Sequence, residues 1–83
     1  MNEKLIQTYV RHKDQWFFVS TINRESSIPM DPAPWFAETL VWKIDENNHR
    51  EKLIAQGEDM TGFIDTHLAY VRQLSLNGEI DKQ

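Results

Sequence analysis

Cysteine is absent from the 83 residues. That excludes disulfides, thiolate metal sites and a cysteine nucleophile, and it leaves a small chain to stabilise itself by packing alone. Glycine is scarce: three glycines stand apart at positions 57, 62 and 78, so no glycine-rich loop is available to cradle a phosphate. Ser20, Ser26 and Ser27 lack the GxSxG elbow of a serine hydrolase. No apolar run approaches the roughly 18 residues of a membrane span, and the opening MNEKLIQTYVRHKD has no apolar core of a secretory signal. No stretch is basic either. Nine Lys and Arg are scattered from Lys4 to Lys82 against thirteen acids, for a net charge of −4, whereas a nucleic-acid surface concentrates positive charge where the phosphates lie. The expectation is a cytoplasmic protein of a bacterium, archaeon or virus-infected cell, without membrane attachment and unsuited to nucleic acid.

What is present suffices for one fold. Hydrophobic residues make up 40% and charged residues 27%, on the folded side of the boundary with disorder. At this length the chain supports a single small domain, read as residues 1–78 with a flexible tail over 79–83.

Two β-rich runs, KLIQTYVR (4–11) and WFFVSTIN (16–23), flank His12 to Gln15 and predict a hairpin. With Lys13-Asp14 as the turn, every cross-strand pair sums to 27. Val10 then faces Phe17, Thr8 faces Val19 and Ile6 faces Thr21 on one side, with Arg11–Trp16, Tyr9–Phe18, Gln7–Ser20 and Leu5–Ile22 on the other. Lys-Asp lacks the glycine of an ideal two-residue turn, so a longer loop with shifted pairing is an alternative. All three prolines fall in RESSIPMDPAP (24–34), which reads as a loop. WFAETLVWKI (35–44) predicts a third strand, with Phe36, Glu38, Leu40, Trp42 and Ile44 on one face and Trp35, Ala37, Thr39 and Val41 on the other. After the polar turn DENNHR, KLIAQ (52–56) predicts a short fourth strand ended by Gly57. Met60, Phe63, Ile64, His67, Leu68, Val71, Leu74 and Ser75 recur at helical spacing, with Asp65, Ala69, Arg72 and Gln73 opposite. They predict an amphipathic helix over 60–76 whose inner side carries Phe63, Leu68 and Val71, capped by Asp59 or Thr61 and closed by Asn77-Gly78. The expected fold class is α+β: an antiparallel three- to four-stranded meander with one C-terminal helix packed on one sheet face.

One helix covers one face. Yet seven aromatics, Tyr9, Trp16, Phe17, Phe18, Trp35, Phe36 and Trp42, lie in the strands, where successive side chains point to opposite sides. The neighbours Phe17-Phe18 and Trp35-Phe36 must each place a ring on either side, so strands 2 and 3 do not show the clean alternation of a sheet with one wet face. Three arrangements resolve this. The first is a homo-oligomer, most often a two-fold homodimer, that packs the second face against its copy. The second is a different protein partner or an apolar ligand. The third is a monomer whose rings are flanked by Arg and Lys stems, as Trp16 would be by Arg11.

Chemical sites are thin. His12, His49 and His67 form no HxH or HxxxH pair. In a meander the first and third turns share an end, which sets His12, Asp14, Asp45 and His49 on one rim, read as solvated turn residues. His67, on the apolar side of the helix, reads as a half-buried packing residue with one nitrogen satisfied. Glu38, among Phe36, Leu40 and Trp42, could be a general base of raised pKa, but an edge-strand charge or a partner for Arg24 or Lys43 explains it more simply. Rings interleaved with bases (Tyr9, Arg11, Trp16, Phe18) suggest a single-strand nucleic-acid platform only superficially, since the RNP motif and the βαββαβ order are missing. The stretches FFVSTINRESS and FAETLVWKID look like strands of a small bacterial or phage protein, a likeness that implies no activity. The sequence therefore predicts a noncatalytic protein-interaction domain without cofactor or metal. Its homo-oligomeric or hetero-partner contacts would run through the aromatic sheet face (Tyr9, Arg11, Trp16, Phe18, Trp35, Phe36, Trp42) or the proline loop (Ile28, Met30). A binding module for a small apolar ligand or single-stranded nucleic acid is the alternative.

Overall fold

A computed structural model describes residues 2–32 and 34–81. Four strands, β1 (Glu3–His12), β2 (Gln15–Glu25), β3 (Trp35–Ile44) and β4 (Arg50–Met60), precede one helix, α1 (Asp65–Asn77). They form an antiparallel sheet in the order β1-β2-β3-β4, and α1 packs across one face, chiefly over β1 and β2. The expected α+β meander with a single covering helix is what the chain adopts.

The first hairpin has the register that the turn Lys13-Asp14 dictates: Tyr9 faces Phe18, Val10 faces Phe17 and His12 faces Gln15. Lys13 supplies the positive φ of 55° that glycine usually provides. The one departure is at Leu5, which bulges out so that Lys4, not Leu5, faces Ile22. The third strand begins and ends where its apolar pattern does. It is an interior strand, so the edge-strand reading of Glu38 is wrong; Glu38 sits opposite both Ile22 and Glu58.

Gly57 does not end β4, which runs on to Met60 opposite Phe36. Its lack of a side chain serves another purpose: a Cβ here would lie 2.6 Å from Thr66 Cγ2 and 2.8 Å from the Tyr70 hydroxyl. The helix settles onto the strand at this point. Because the strand is longer than its apolar run, the helix starts later, at Asp65, after a turn in which Gly62 takes a φ of 82°. Ile64, the residue before the helix, offers no side-chain cap. Asp59 of β4 supplies it, accepting from the Thr66 N–H at 2.9 Å and its hydroxyl at 3.0 Å. At the other end Gly78 is left-handed and donates its N–H to the Leu74 carbonyl.

The core between helix and sheet is Val10, Phe17, Val19, Val41 and Leu74, with Ile54, Ala55, Tyr70, Val71 and Ile80 packed around it. Here the predicted helical phase needs correction. His67 and Leu74 are the fully buried helix residues, whereas Phe63 and Leu68 are 51% and 53% exposed. Three tethers fix the helix's rotation: Thr66 to Asp59 and the Tyr70 hydroxyl to the Gln56 carbonyl at 3.3 Å, both on β4, and His67 to Thr8 of β1 and Thr21 of β2. Of the segment 79–83, Ile80 packs on the core and the Asp81 N–H bonds to Gln73 Oε1; residues 82 and 83 lie outside the described residues.

The molecule is long and thin, 44 × 25 × 19 Å with a radius of gyration of 13.4 Å, against about 12 Å for a compact chain of this length. Its accessible surface is 6023 Å², while a folded monomer of 9.8 kDa exposes about 5,200 Å². The uncovered side of the sheet and the extended shape both add to this surface.

Candidate interaction surface

Alternation along the strands builds the open face in rows. A middle row, Gln7–Ser20–Leu40–Gln56, crosses all four strands in register. Toward the two turns lie Tyr9–Phe18–Trp42–Leu53 and then Arg11–Trp16–Ile44–Arg50. Toward the proline loop lie Ile22–Glu38–Glu58 and then Arg24–Phe36–Met60. The rings therefore concentrate in the turn half. Tyr9 stacks on Phe18 with centroids 4.9 Å apart. Arg50 lies 5.0 Å from the Trp42 ring centre and 5.7 Å from that of Phe18, and Arg11 lies 5.8 Å from that of Trp16. Phe18 and Ile44 are thereby buried with no secondary-structure element over them. In the loop half Arg24 covers Phe36 in the same way.

Of the residues singled out in the sequence, Tyr9, Arg11, Trp16, Phe18, Phe36 and Trp42 share this face. Trp35 is in phase with Ala37, Thr39 and Val41 and belongs to the other side, at the sheet's end. Ile28 and Met30 are in the connection beyond β2, where Met30 is 99% exposed and has a φ of 60°. That connection is cinched by the Ser26 N–H on the Pro34 carbonyl.

A feature the sequence did not disclose is a hollow of about 350 Å³ at the turn end, walled by Tyr9, Trp16 and Ile44 and edged by Asp45, Glu46 and Asn48. The third turn shapes it. Asp45 Oδ1 accepts the backbone N–H groups of Asn47 and His49, and Asn48, with a φ of 66°, donates its side-chain amide to the Tyr9 hydroxyl at 3.2 Å. The backbone N–H of His49, then that of Asn47, holds the Asp45 carboxyl below its usual range. The only signal for this in the sequence is the Asx-turn pattern of Asp45-Glu46-Asn47-Asn48.

The turn histidines do not converge. His49 Nδ1 pairs with Asp45 at 3.1 Å, while His12 leans to the end of α1, near the Ser75 carbonyl and Gly78. Among the described residues no three His, Asp or Glu side chains come together as a metal site. Glu38 is buried and fully engaged, taking Arg24 on one oxygen and Gln56 on the other, each at 3.0 Å. Arg24 is thus its partner, as one sequence reading had it; the Arg24 Nε is buried and finds no acceptor among the described residues.

His67 is a correction. It is fully buried, not half-buried, and both nitrogens are satisfied: Nε2 by Thr8 and Nδ1 by Thr21, each at 2.8 Å. Thr21 in turn meets Thr39 across the sheet at 2.6 Å. The sequence shows three threonines on the helix-side alternation but not that a histidine would come down onto them.

Comparison of the chain with family models, with curated proteins and with solved structures finds no match in any of the three.

Proposed function

We propose that this chain is a noncatalytic association domain that works as a homodimer through its open sheet face. The observation that carries the reading is the face itself. It presents Tyr, Trp, Phe and Met side chains under arginines, the residue types that dominate the centres of protein interfaces. The scale agrees: the surface in excess of a compact monomer is roughly 800 Å², what each partner of a standard interface gives up. The titratable groups of the interior have structural partners, Glu38 with Arg24 and Gln56, and His67 with two threonines. No helix is long and apolar enough to cross a membrane among the described residues, and a cysteine-free chain suits the cytoplasm, the compartment we propose.

Sedimentation equilibrium tests the proposal. At about 100 μM the chain should run at twice its 9.8 kDa, because an interface of this size saturates there. Tyr9→Asp, on the open face, should return it to a monomer with an unchanged far-ultraviolet spectrum. A wild-type monomer at that concentration overturns the reading. The second reading, a small apolar ligand, has the ring-walled hollow in its favour, and such a ligand would leave the chain monomeric while quenching Trp16 fluorescence.

A further inference from the structure

We propose that the hollow walled by Tyr9, Trp16 and Ile44 receives Ile28 and Met30 from the β2–β3 connection of a second copy, each copy inserting these side chains into the other. The inference rests on the homodimer reading and specifies its geometry. In this meander the turns at 13–14 and 45–49 lie at one end of the strands and the proline loop at the other. A two-fold axis lying between two open faces, across the strands at the row Gln7–Ser20–Leu40–Gln56, reverses the strand direction. It sets the turn half of each copy over the loop half of the other. Both sites are then used twice, the reciprocity that a two-fold interface requires.

Shape and apolarity match. The loop carries Ile28 and Met30 at 68% and 99% exposure, so most of Ile28 and nearly all of Met30 stand free of their own chain. Met30 is held at a φ of 60°, a left-handed backbone that non-glycine residues adopt at a cost and that is found at sites where a side chain must be presented. The hollow offers two rings and an isoleucine in about 350 Å³, and a thioether packs well against ring edges. Prolines at 29, 32 and 34 stiffen the loop and reduce the entropy lost when it seats.

Charge selects the antiparallel arrangement over its alternative. Arg11 and Arg50 stand in the turn half on the outer strands, while Glu58 lies in the loop half beside a Glu38 already paired with Arg24. With the axis across the strands, β4 runs over β4 reversed and the Arg50 end of one copy meets the Glu58 end of the other. With the axis along the strands, turn half meets turn half and the arginines face arginines. The same operation lays Trp16 over the second copy's Arg24 and Ile44 over its Phe36, extending the ring–arginine contacts each copy already makes.

The absence of cysteine makes the test clean. Met30→Cys and Glu46→Cys change two exposed side chains, one on the loop and one at the rim of the hollow. Oxidised alone, each variant should stay uncross-linked, since its two thiols are at opposite ends of the dimer. An equimolar mixture should give the disulfide-linked 1:1 dimer. Met30→Asp should weaken self-association at least about tenfold; aspartate tolerates a left-handed backbone, so the loss reports the missing apolar side chain. Leu76→Asp, on an exposed position of the helix, should leave association unchanged. Cross-linking of Met30→Cys with itself, or a wild-type dimer whose variant mixture does not cross-link, overturns the loop seating and leaves the homodimer standing. A wild-type monomer overturns both.

Discussion

Burial strips His67 of water, which favours its neutral ring and lowers its pKa from the ordinary 6.5. In the unfolded chain the ring takes a proton as pH falls through about 6.5; in the fold it resists until a lower pH. The unfolded state therefore binds more protons in that window. The stability His67 contributes is fully present above about pH 7 and is lost progressively as pH falls below 6.5 toward its folded pKa. Denaturant midpoints measured from pH 8 to 5 should be level at first and then decline, and His67→Gln, which keeps polar atoms near Thr8 and Thr21, should flatten the decline while lowering stability throughout. A midpoint that rises on acidification would mean the ring is charged in the fold. Gly57 makes a second demand on a single position. A methyl group there meets Thr66 and the Tyr70 ring below 3 Å, and lifting the helix also strains the Asp59 cap, so Gly57→Ala should cost about 1 to 3 kcal/mol in chemical denaturation.

Two leucines six positions apart separate what periodicity reveals about the helix from what it hides. Leu74 is wholly buried against Val10, Phe17, Val19 and Val41, so Leu74→Ala should cost about 2 to 5 kcal/mol. Leu68, half in water, should lose about 1 kcal/mol or less on the same change, and the exposed Arg72 about 0.5 kcal/mol or less; urea unfolding of the three variants checks the order. Hydrophobic spacing counts Leu68 and Leu74 as equals and favours a wheel centred between them. The real wheel is set by polar side chains that such spacing scores as neutral or unfavourable: Thr66, His67 and Tyr70, each bonded to the sheet. The strands were far more legible. The faces of β2 and β3 follow from strict alternation, the first hairpin's register from a two-residue turn, and the ends of β3 from proline on one side and Asp45-Glu46-Asn47-Asn48 on the other; the bulges in β1 at Leu5 and in β4 opposite Val41–Ile44 break the alternation there. β4 extends past its apolar run because pairing with β3 and the helix contacts override the poor strand preference of Gly57, Glu58 and Asp59. The rings of the open face were legible by the same alternation. The hollow beside them was not, since it depends on Asn48 bending back to Tyr9 across 39 positions of sequence.

A sheet covered by one helix leaves the whole molecule with a narrow margin, because a chain this small buries a modest share of its surface and retains little net stability. If the open face is completed by a second copy, part of that stability is intermolecular and depends on concentration. Above the dissociation constant, unfolding of a dimer to two chains draws about 1.4 kcal/mol more per dimer for each tenfold rise in protein concentration, by mass action. Shared between two chains of this length, that raises Tm by about 3 to 5 °C per decade. Calorimetric or circular-dichroism melts from 10 μM to 1 mM should show this slope for the wild-type chain. Tyr9→Asp should melt lower and at the same temperature throughout, because its helix-side core is intact and its association is lost. Leu74→Ala should show the opposite combination, a lower Tm that still climbs with concentration, since it weakens each copy without touching the face between them. A wild-type Tm independent of concentration over that range would mean that the arginines over Trp16, Trp42 and Phe36 suffice to cover the sheet, and that the open face is finished within one chain.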